Sequence, residues 1–287
     1  IYGTRGANGV IMITTKRGKP GKSSIEFSHY TMFSARPKLI KLANAKEYAT
    51  FYNEMNRNDN LAESYIGKYL KTTDLLDSIY LPAISELGEG TNWQRELTRP
   101  GITQNYQLSA SGGNEQIRYL VSGNYLKDEG IIRYSEYQKA SFRVNMDAKI
   151  TSRLSAKVDV NVSSDLNNRA ENSNSRILAG GFERSGVILK AFAANPTLSM
   201  DNQASQLATR LSTTPVGATF LNPLYDLSNT INQRRINYYF FNSDLNYKLS
   251  DKLSLTVRGA YNTSDASTDQ FWNNKTMLGY LRGQKAF

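Results

Sequence analysis

The run Ala140-Ser-Phe-Arg-Val-Asn-Met-Asp-Ala-Lys-Ile150, the link Thr151-Ser-Arg153 and the run Leu154-Ser-Ala-Lys-Val-Asp-Val-Asn-Val162 decide the fold. In the first, Ala140, Phe142, Val144, Met146, Ala148 and Ile150 alternate with Ser141, Arg143, Asn145, Asp147 and Lys149. In the second, Leu154, Ala156, Val158, Val160 and Val162 alternate with Ser155, Lys157, Asp159 and Asn161. Side chains point to opposite faces along a strand, so a period of two predicts strands with one apolar and one polar face. The short link predicts a tight hairpin.

Two more copies precede these. Ile102–Gly112 sets Ile102, Tyr106, Leu108 and Ala110 against Thr103, Asn105, Gln107 and Ser109, and the next run sets Ile117, Tyr119, Val121 and Tyr125 against Arg118, Ser122 and Asn124. Gly112-Gly-Asn-Glu115 joins them tightly, whereas Lys127–Glu136 forms a longer excursion before the third run. The runs are longer than the soluble norm of ~5–6 residues and match the ~9–11 of a tilted strand crossing a bilayer. Full charges at Arg118, Arg143, Asp147, Lys149, Lys157 and Asp159 suit a wet lumen. The apolar face of the third and fourth runs carries none; a charge on a lipid-facing position costs about 2–4 kcal/mol near the midplane. A soluble antiparallel sheet with one solvated face is the competing reading. The short–long–short rhythm favours an outer-membrane barrel, with tight periplasmic turns and long outer loops. It predicts Val144, Met146, Val158 and Val160 toward lipid and Arg143, Asp147, Lys157 and Asp159 in the lumen.

Composition narrows the function. A mean hydropathy of −0.51 excludes a helical membrane protein but not a barrel, whose lumen and loops dilute the apolar band. The 18 Tyr fit interfacial girdles. With no Cys and a single His, His29, thiol catalysis and Cys-based zinc sites are excluded, and neither metal nor cofactor is expected. The net charge of +10 is spread over turns, loops and lumen positions, clustering only at Lys16–Lys22, and no nucleic-acid-binding motif accompanies it. No paired carboxylates with acid/base geometry can be placed, so no catalytic residue is assigned and the chain is not read as an enzyme.

Along the chain, Gly3-Thr-Arg-Gly6-Ala-Asn-Gly9 leads into Val10–Thr15. A phosphate loop leads into a helix, whereas β-branched residues predict a strand here, so a nucleotide site is not supported. Ser24–Ser34 is a strand with His29 on its apolar parity. Arg36–Pro100 is not strand-like: a capping box at Asn44–Glu47 opens a helix to about Met55, and Leu61–Leu70 reads as a second helix. Asp165–Arg235 is a second excursion, helical over Ser173–Ala194, with turns at Thr214-Pro215 and Asn222-Pro223. Ile236–Leu249 and Leu253–Asn262 are strands flanking a tight Ser250–Lys252 turn, and the residues beyond begin another loop that holds Trp272. Seven barrel strands result, with every tight turn on one side and both long excursions on the other. Open edges are not viable in hydrocarbon, so further strands are expected from a longer protein. The absence of an initiator Met and of a signal peptide agrees with that expectation.

Specific stretches add a resemblance. Ile1-Tyr-Gly-Thr-Arg-Gly-Ala-Asn-Gly-Val-Ile-Met-Ile-Thr-Thr-Lys-Arg-Gly18 resembles the end of the plug domain of the SusC/RagA-type TonB-dependent outer-membrane transporters of Bacteroidota. Thr91-Asn-Trp-Gln94, Gln104–Gly113, Tyr119–Ser122, Glu129-Gly-Ile131, Phe142–Asn145 and Asn222-Pro-Leu224 resemble that family's early barrel. The resemblance implies the end of a plug over 1–22 and the first part of a 22-stranded β-barrel over 23–287. It also implies localisation in the outer membrane, import of glycan or peptide oligomers, a SusD-like surface lipoprotein as lid, and energy from TonB–ExbBD through a region absent here. The alternatives are a passive porin or surface adhesin barrel, and a soluble carbohydrate-binding β-sandwich or glycosidase. Candidate substrate-binding residues are Trp93 and Arg95 on the outer loops, with Arg143 and Asp147 in the lumen, because oligomers are held by aromatic faces and fixed polar groups. Trp93 has a second reading, as the anchor packing its loop onto the barrel rim.

Overall fold

The computed structural model describes residue 9 and residues 16–71, 78–170, 186–198 and 222–273. In chain order come β1 (Gly21–Ser34), α1 (Ala45–Asn58), a small hairpin of β2 (Lys68–Lys71) and β3 (Ser78–Leu81), α2 (Trp93–Leu97), β4 (Gly101–Gly113), β5 (Ile117–Glu129), β6 (Glu136–Lys149), β7 (Leu154–Asn168), α3 (Val187–Ala193), α4 (Pro223–Ser228), β8 (Thr230–Lys248) and β9 (Ser254–Trp272). Among the described residues, β1 and β4 through β9 form one seven-stranded sheet in the order β1-β4-β5-β6-β7-β8-β9, with every neighbouring pair antiparallel. The expected strand over 10–15 and the expected turn at 214–215 lie outside the described residues; of the helix expected over 173–194, α3 covers Val187–Ala193 and 173–185 lie outside the described residues.

Side-chain chemistry sets the tight turns. Asn114 Oδ1 accepts from the backbone N–H groups of Gln116 and Ile117, both at 2.8 Å. Thr151 Oγ1 accepts from Leu154 N at 2.9 Å. Ser250 Oγ accepts from Lys252 N at 3.3 Å. These are the short-range captures that favour Asn, Thr and Ser at bends. All three turns lie at the sheet end from which β1 starts, and the connections 35–100, 130–135 and 169–229 lie at the other.

Three boundaries differ from the sequence expectation. Leu61–Leu70 is not a helix. Asn53 Oδ1 accepts from Ser64 N (3.0 Å) and Tyr65 N (2.8 Å), and Asn56 Nδ2 donates to Ala62 O (3.3 Å), so side chains of α1 take the backbone groups that a helix would pair internally. Gly67, at φ 75°, then turns the chain into β2. The excursion 36–100, expected without strands, thus holds the β2–β3 hairpin. The last two strands run well past their expected limits: β8 starts at Thr230 and β9 continues to Trp272, which ends a strand rather than sitting in a loop.

The register sorts the two faces. Residues directly opposite in antiparallel strands share a face. Arg118, Asp147, Lys157, Asp244 and Arg258 form one row across five strands, with charges alternating in sign. The row Ile25, Ala110, Val121, Val144, Val160, Phe241, Tyr261 runs across the opposite, apolar face. Arg143 is exposed and Val144 half-buried, so neither is enclosed in a protein core.

The apolar band is oblique to the strands. Phe33, its upper limit on β1, registers strand by strand with Asp269, whereas the band on β9 ends at Tyr261, about eight residues lower. At ~3.3 Å per residue and ~4.8 Å between strands, that drift corresponds to strands inclined by roughly 40° to the band's normal, the tilt of barrel strands in a bilayer. Tyr125, Tyr239 and Tyr261 mark its upper edge on β5, β8 and β9. Beyond that edge both faces of β8 and β9 are wet, and the period-two signal vanishes although pairing continues.

Candidate functional site

The enclosed hydrophobic core lies in the long connections rather than in the sheet. Ala49, Tyr65, Leu81, Trp93, Leu97, Val187, Ala191, Leu198 and Leu227 belong to one buried cluster, which joins the 35–100 and 169–229 connections into a single helical module. The expectation that both excursions share one side of the sheet is met by the described residues. α1 forms where the sequence places it: Asn44 Oδ1 accepts from Glu47 N (2.8 Å), and the Glu47 carboxylate accepts from Asn44 N (3.0 Å), closing the capping box.

Trp93 is 2 % exposed, and its indole N–H donates to Asn195 O at 2.9 Å. Asn195 Nδ2 in turn donates to the Tyr65 hydroxyl at 2.7 Å, so one buried asparagine ties the first excursion to the second. Burial pushes the Tyr65 phenol above its ordinary value of 10.0, against the smaller opposing effects of its hydrogen bonds to Thr197 and Asn195. At Gly90 (φ 74°) a Cβ would collide with Pro196 O and with the Ala45 side chain, so only glycine lets the two connections close here. Gln94 both accepts from Ile40 N (2.9 Å) and donates to Ile40 O (2.8 Å), imitating a strand partner. A cleft of about 610 Å³ opens between these elements, lined among others by Tyr48, Glu89, Trp93, Arg95 and Phe192. Arg95 is exposed on it, whereas Trp93 contributes from a buried position.

Arg143 and Asp147 lie on the polar face of β6, remote from Trp93 and Arg95 along the chain and at different elements, so the four candidates form two separate groups. Asp147 is already engaged. Arg17 Nη1 reaches its Oδ1 at 2.6 Å, and Arg17 Nη2 reaches Asp159 Oδ2 on β7 at 2.9 Å. Asp159 also accepts from Asn145 (2.6 Å) and Asn242 (3.3 Å). Next to Arg17, Gly18 is buried against the backbone of Tyr119, where any Cβ would overlap the chain. The segment before β1 therefore crosses the polar face of β5 to reach β6 and β7. Sequence reasoning missed this junction. The available signal was the placement of Asp147 and Asp159 on one face of adjacent strands.

No family model matches the chain. It is 27% identical over 286 residues to TonB-dependent receptor P3 of Formosa agariphila, covering 100% of this chain and 25% of that protein. It is 30% identical over 148 residues to TonB-dependent receptor SusC of Bacteroides thetaiotaomicron, covering 51% of this chain and 12% of that one. In three dimensions it is similar to solved structures of the RagAB peptide importer, with TM-scores of 0.60 in the closed-closed state and 0.65 in the open-open state. Those identities are 19% and 18%, over 94% of this chain and 31% of that chain. The chain is similar to TonB-dependent receptors, SusC among them, and shares the fold of the RagAB importer structures. It spans only part of the length of these relatives, 25% of receptor P3, 12% of SusC and 31% of the RagAB importer chain. The tilted seven-stranded sheet is part of an antiparallel transmembrane β-barrel fold. The helical module caps the end opposite the tight turns.

Proposed function

We propose that this chain is part of an outer-membrane, TonB-dependent importer of oligomeric nutrients, glycans or peptides, working with a SusD-like lipoprotein lid. The observation that carries the reading is the pairing of a lipid-facing band with a charged lumen face on which Arg17 holds the segment preceding β1. A passive porin keeps its lumen open, whereas here a strap lies across the wall, as expected where a plug ends and a barrel begins. In this reading residues 1–22 close the plug and the barrel starts at 23. Energy enters from TonB–ExbBD through a part of the protein outside this chain. Arg95 in the outer cleft and Arg143 in the lumen are the ligand contacts, Trp93 shapes the cleft wall from behind, and Asp147 anchors the strap.

The test is uptake of fluorescent oligosaccharides and oligopeptides by cells carrying the full-length receptor, with and without TonB, together with co-purification of a surface lipoprotein. TonB-dependent accumulation of an oligomer is the expected result. Uptake unaffected by loss of TonB supports a passive pore instead.

A further inference from the structure

The lumen face of β6 to β8 carries a combination that wall packing does not require. Phe240 and Tyr238 lie on the polar parity of β8, at 40% and 41% exposure. Phe240 is directly opposite Asn161, which is directly opposite Arg143; Tyr238 is opposite Ser163, which is opposite Ser141. Two aromatic faces thus stand in a row of amides and hydroxyls on a wet surface, where large apolar side chains call for a partner. Arg143 and Phe240 flank Asn161 with one strand between them, roughly 10 Å apart by strand spacing. That gap admits one sugar ring.

The charges on this face are unequally committed. Each carboxylate on the polar parity of β5 through β9 is engaged: Asp128 accepts from Thr103 at 2.7 Å, Asp147 and Asp159 hold Arg17, Asp165 meets Lys139 at 3.4 Å and Asp244 meets Arg258 at 2.7 Å. Arg143 has no side-chain partner among the described residues. Neither does Arg234, placed between Asn167 and Thr268 nearer the outer end. The anions are engaged in place, whereas Arg143 and Arg234, with Arg118 towards the turn end of β5, have no side-chain partner among the described residues, in a chain of net charge +10. A guanidinium fork fits carboxylate and sulfate oxygens in bidentate fashion.

The geometry points to a subsite for an acidic oligosaccharide, carboxylated or sulfated, on this stretch of lumen wall. Resting on the import reading above, it names the substrate class. Sugar rings stack on Phe240 and Tyr238, Asn161 and Ser163 meet ring hydroxyls, and Arg143 and Arg234 hold the anionic substituents of residues further along the chain.

The experiment uses the full-length receptor in detergent and four probes: a galacturonate hexamer, a sulfated galactan hexamer, neutral maltohexaose and hexaglutamate. Calorimetry is expected to show binding of one or both acidic glycans, weakened by added salt. Arg143→Gln and Phe240→Ala should each lower that affinity about ten-fold; Arg143→Lys should retain part of it. A heat-modifiable band on a gel reports folding, and the exposed Arg143→Gln keeps the test usable if Phe240→Ala destabilises the barrel. Equal or tighter binding of maltohexaose or hexaglutamate overturns the proposal, as does wild-type affinity in Arg143→Gln. Those failures leave TonB-dependent import standing, whereas an absence of TonB-dependent uptake for every oligomer removes the import reading itself.

Discussion

Arg17 and Asp147 are 130 residues apart in sequence, and their side chains meet at 2.6 Å. The contact carries the segment before β1 past β4 and β5 to the middle of the sheet, where Asp159 completes a two-carboxylate clasp. The two carboxylates stand diagonally on neighbouring strands, Asp147 opposite Lys157 and Asp159 opposite Asn145, and Arg17 bridges them.

Arg17→Ala should therefore loosen the strap while leaving the sheet paired. The loss is about 1–2 kcal/mol for a half-buried bidentate contact. Limited proteolysis at Lys16 and Lys19 of the folded full-length protein should accelerate, with the heat-modifiable barrel band unchanged. Unaltered cleavage counts against the strap.

The lipid-facing assignment predicts an asymmetry between adjacent residues. Val160→Arg should destabilise bilayer insertion by about 2–4 kcal/mol, whereas Asn161→Arg, one residue along on the lumen face, should be nearly neutral. Reversible folding into lipid vesicles measures both. Equal costs contradict the facing.

Cysteine labelling checks the sides. Glu54→Cys on α1 and Glu115→Cys in the β4–β5 turn are both exposed positions. A membrane-impermeant maleimide applied to intact cells should mark the first and spare the second.

The helical module should respond to Trp93 as a buried anchor. Trp93→Ala is expected to cost about 3–5 kcal/mol of module stability through the cavity and the lost hydrogen bond to Asn195. Hydrogen exchange should show α1, α2 and α3 opening together while the sheet stays protected. A change in ligand affinity without any change in exchange would instead give Trp93 a direct binding role.

Tyr65 supplies a pH dependence. Its folded phenol titrates above 10.0 because burial disfavours the phenolate. The associated stabilisation is complete below pH 10 and is lost as pH rises through the raised folded value. The module should open in that alkaline range before the sheet does, and Tyr65→Phe should remove that step. Near-ultraviolet difference spectra follow the phenolate.

The sheet was legible in the sequence wherever the strands have two different solvents on their two faces. Val144 against Asn145 and Val158 against Asp159 announce both period and facing. Legibility failed where that contrast ends. Thr263–Trp272 continues β9 between wet faces, so its residues carry no alternation, and only pairing with β8 reveals the strand. It failed again at Leu61–Leu70, where apolar spacing suits a helix but Asn53 and Asn56 capture the backbone from 62 to 65. The clasp at Arg17 could not be read because nothing local sets how far a linker travels. Arg95 and Arg143 are exposed, while the use of Asp147 by Arg17 is long-range information absent from any window of sequence.

The oblique path of the apolar band has a mechanical consequence. β1 ends beside its upper limit at Phe33, but β9 climbs another eleven residues past Tyr261 to Trp272. The sheet end opposite the tight turns is therefore a low sill at β1 and β4 and a tall parapet at β8 and β9. Both ends of the 35–100 connection rise from the sill, and the helices built from it fill the low side. The rim thus has a β-sheet rampart on one flank and a helical shoulder on the other, and the shoulder is the flank not held by the hydrogen-bond ladder of the sheet.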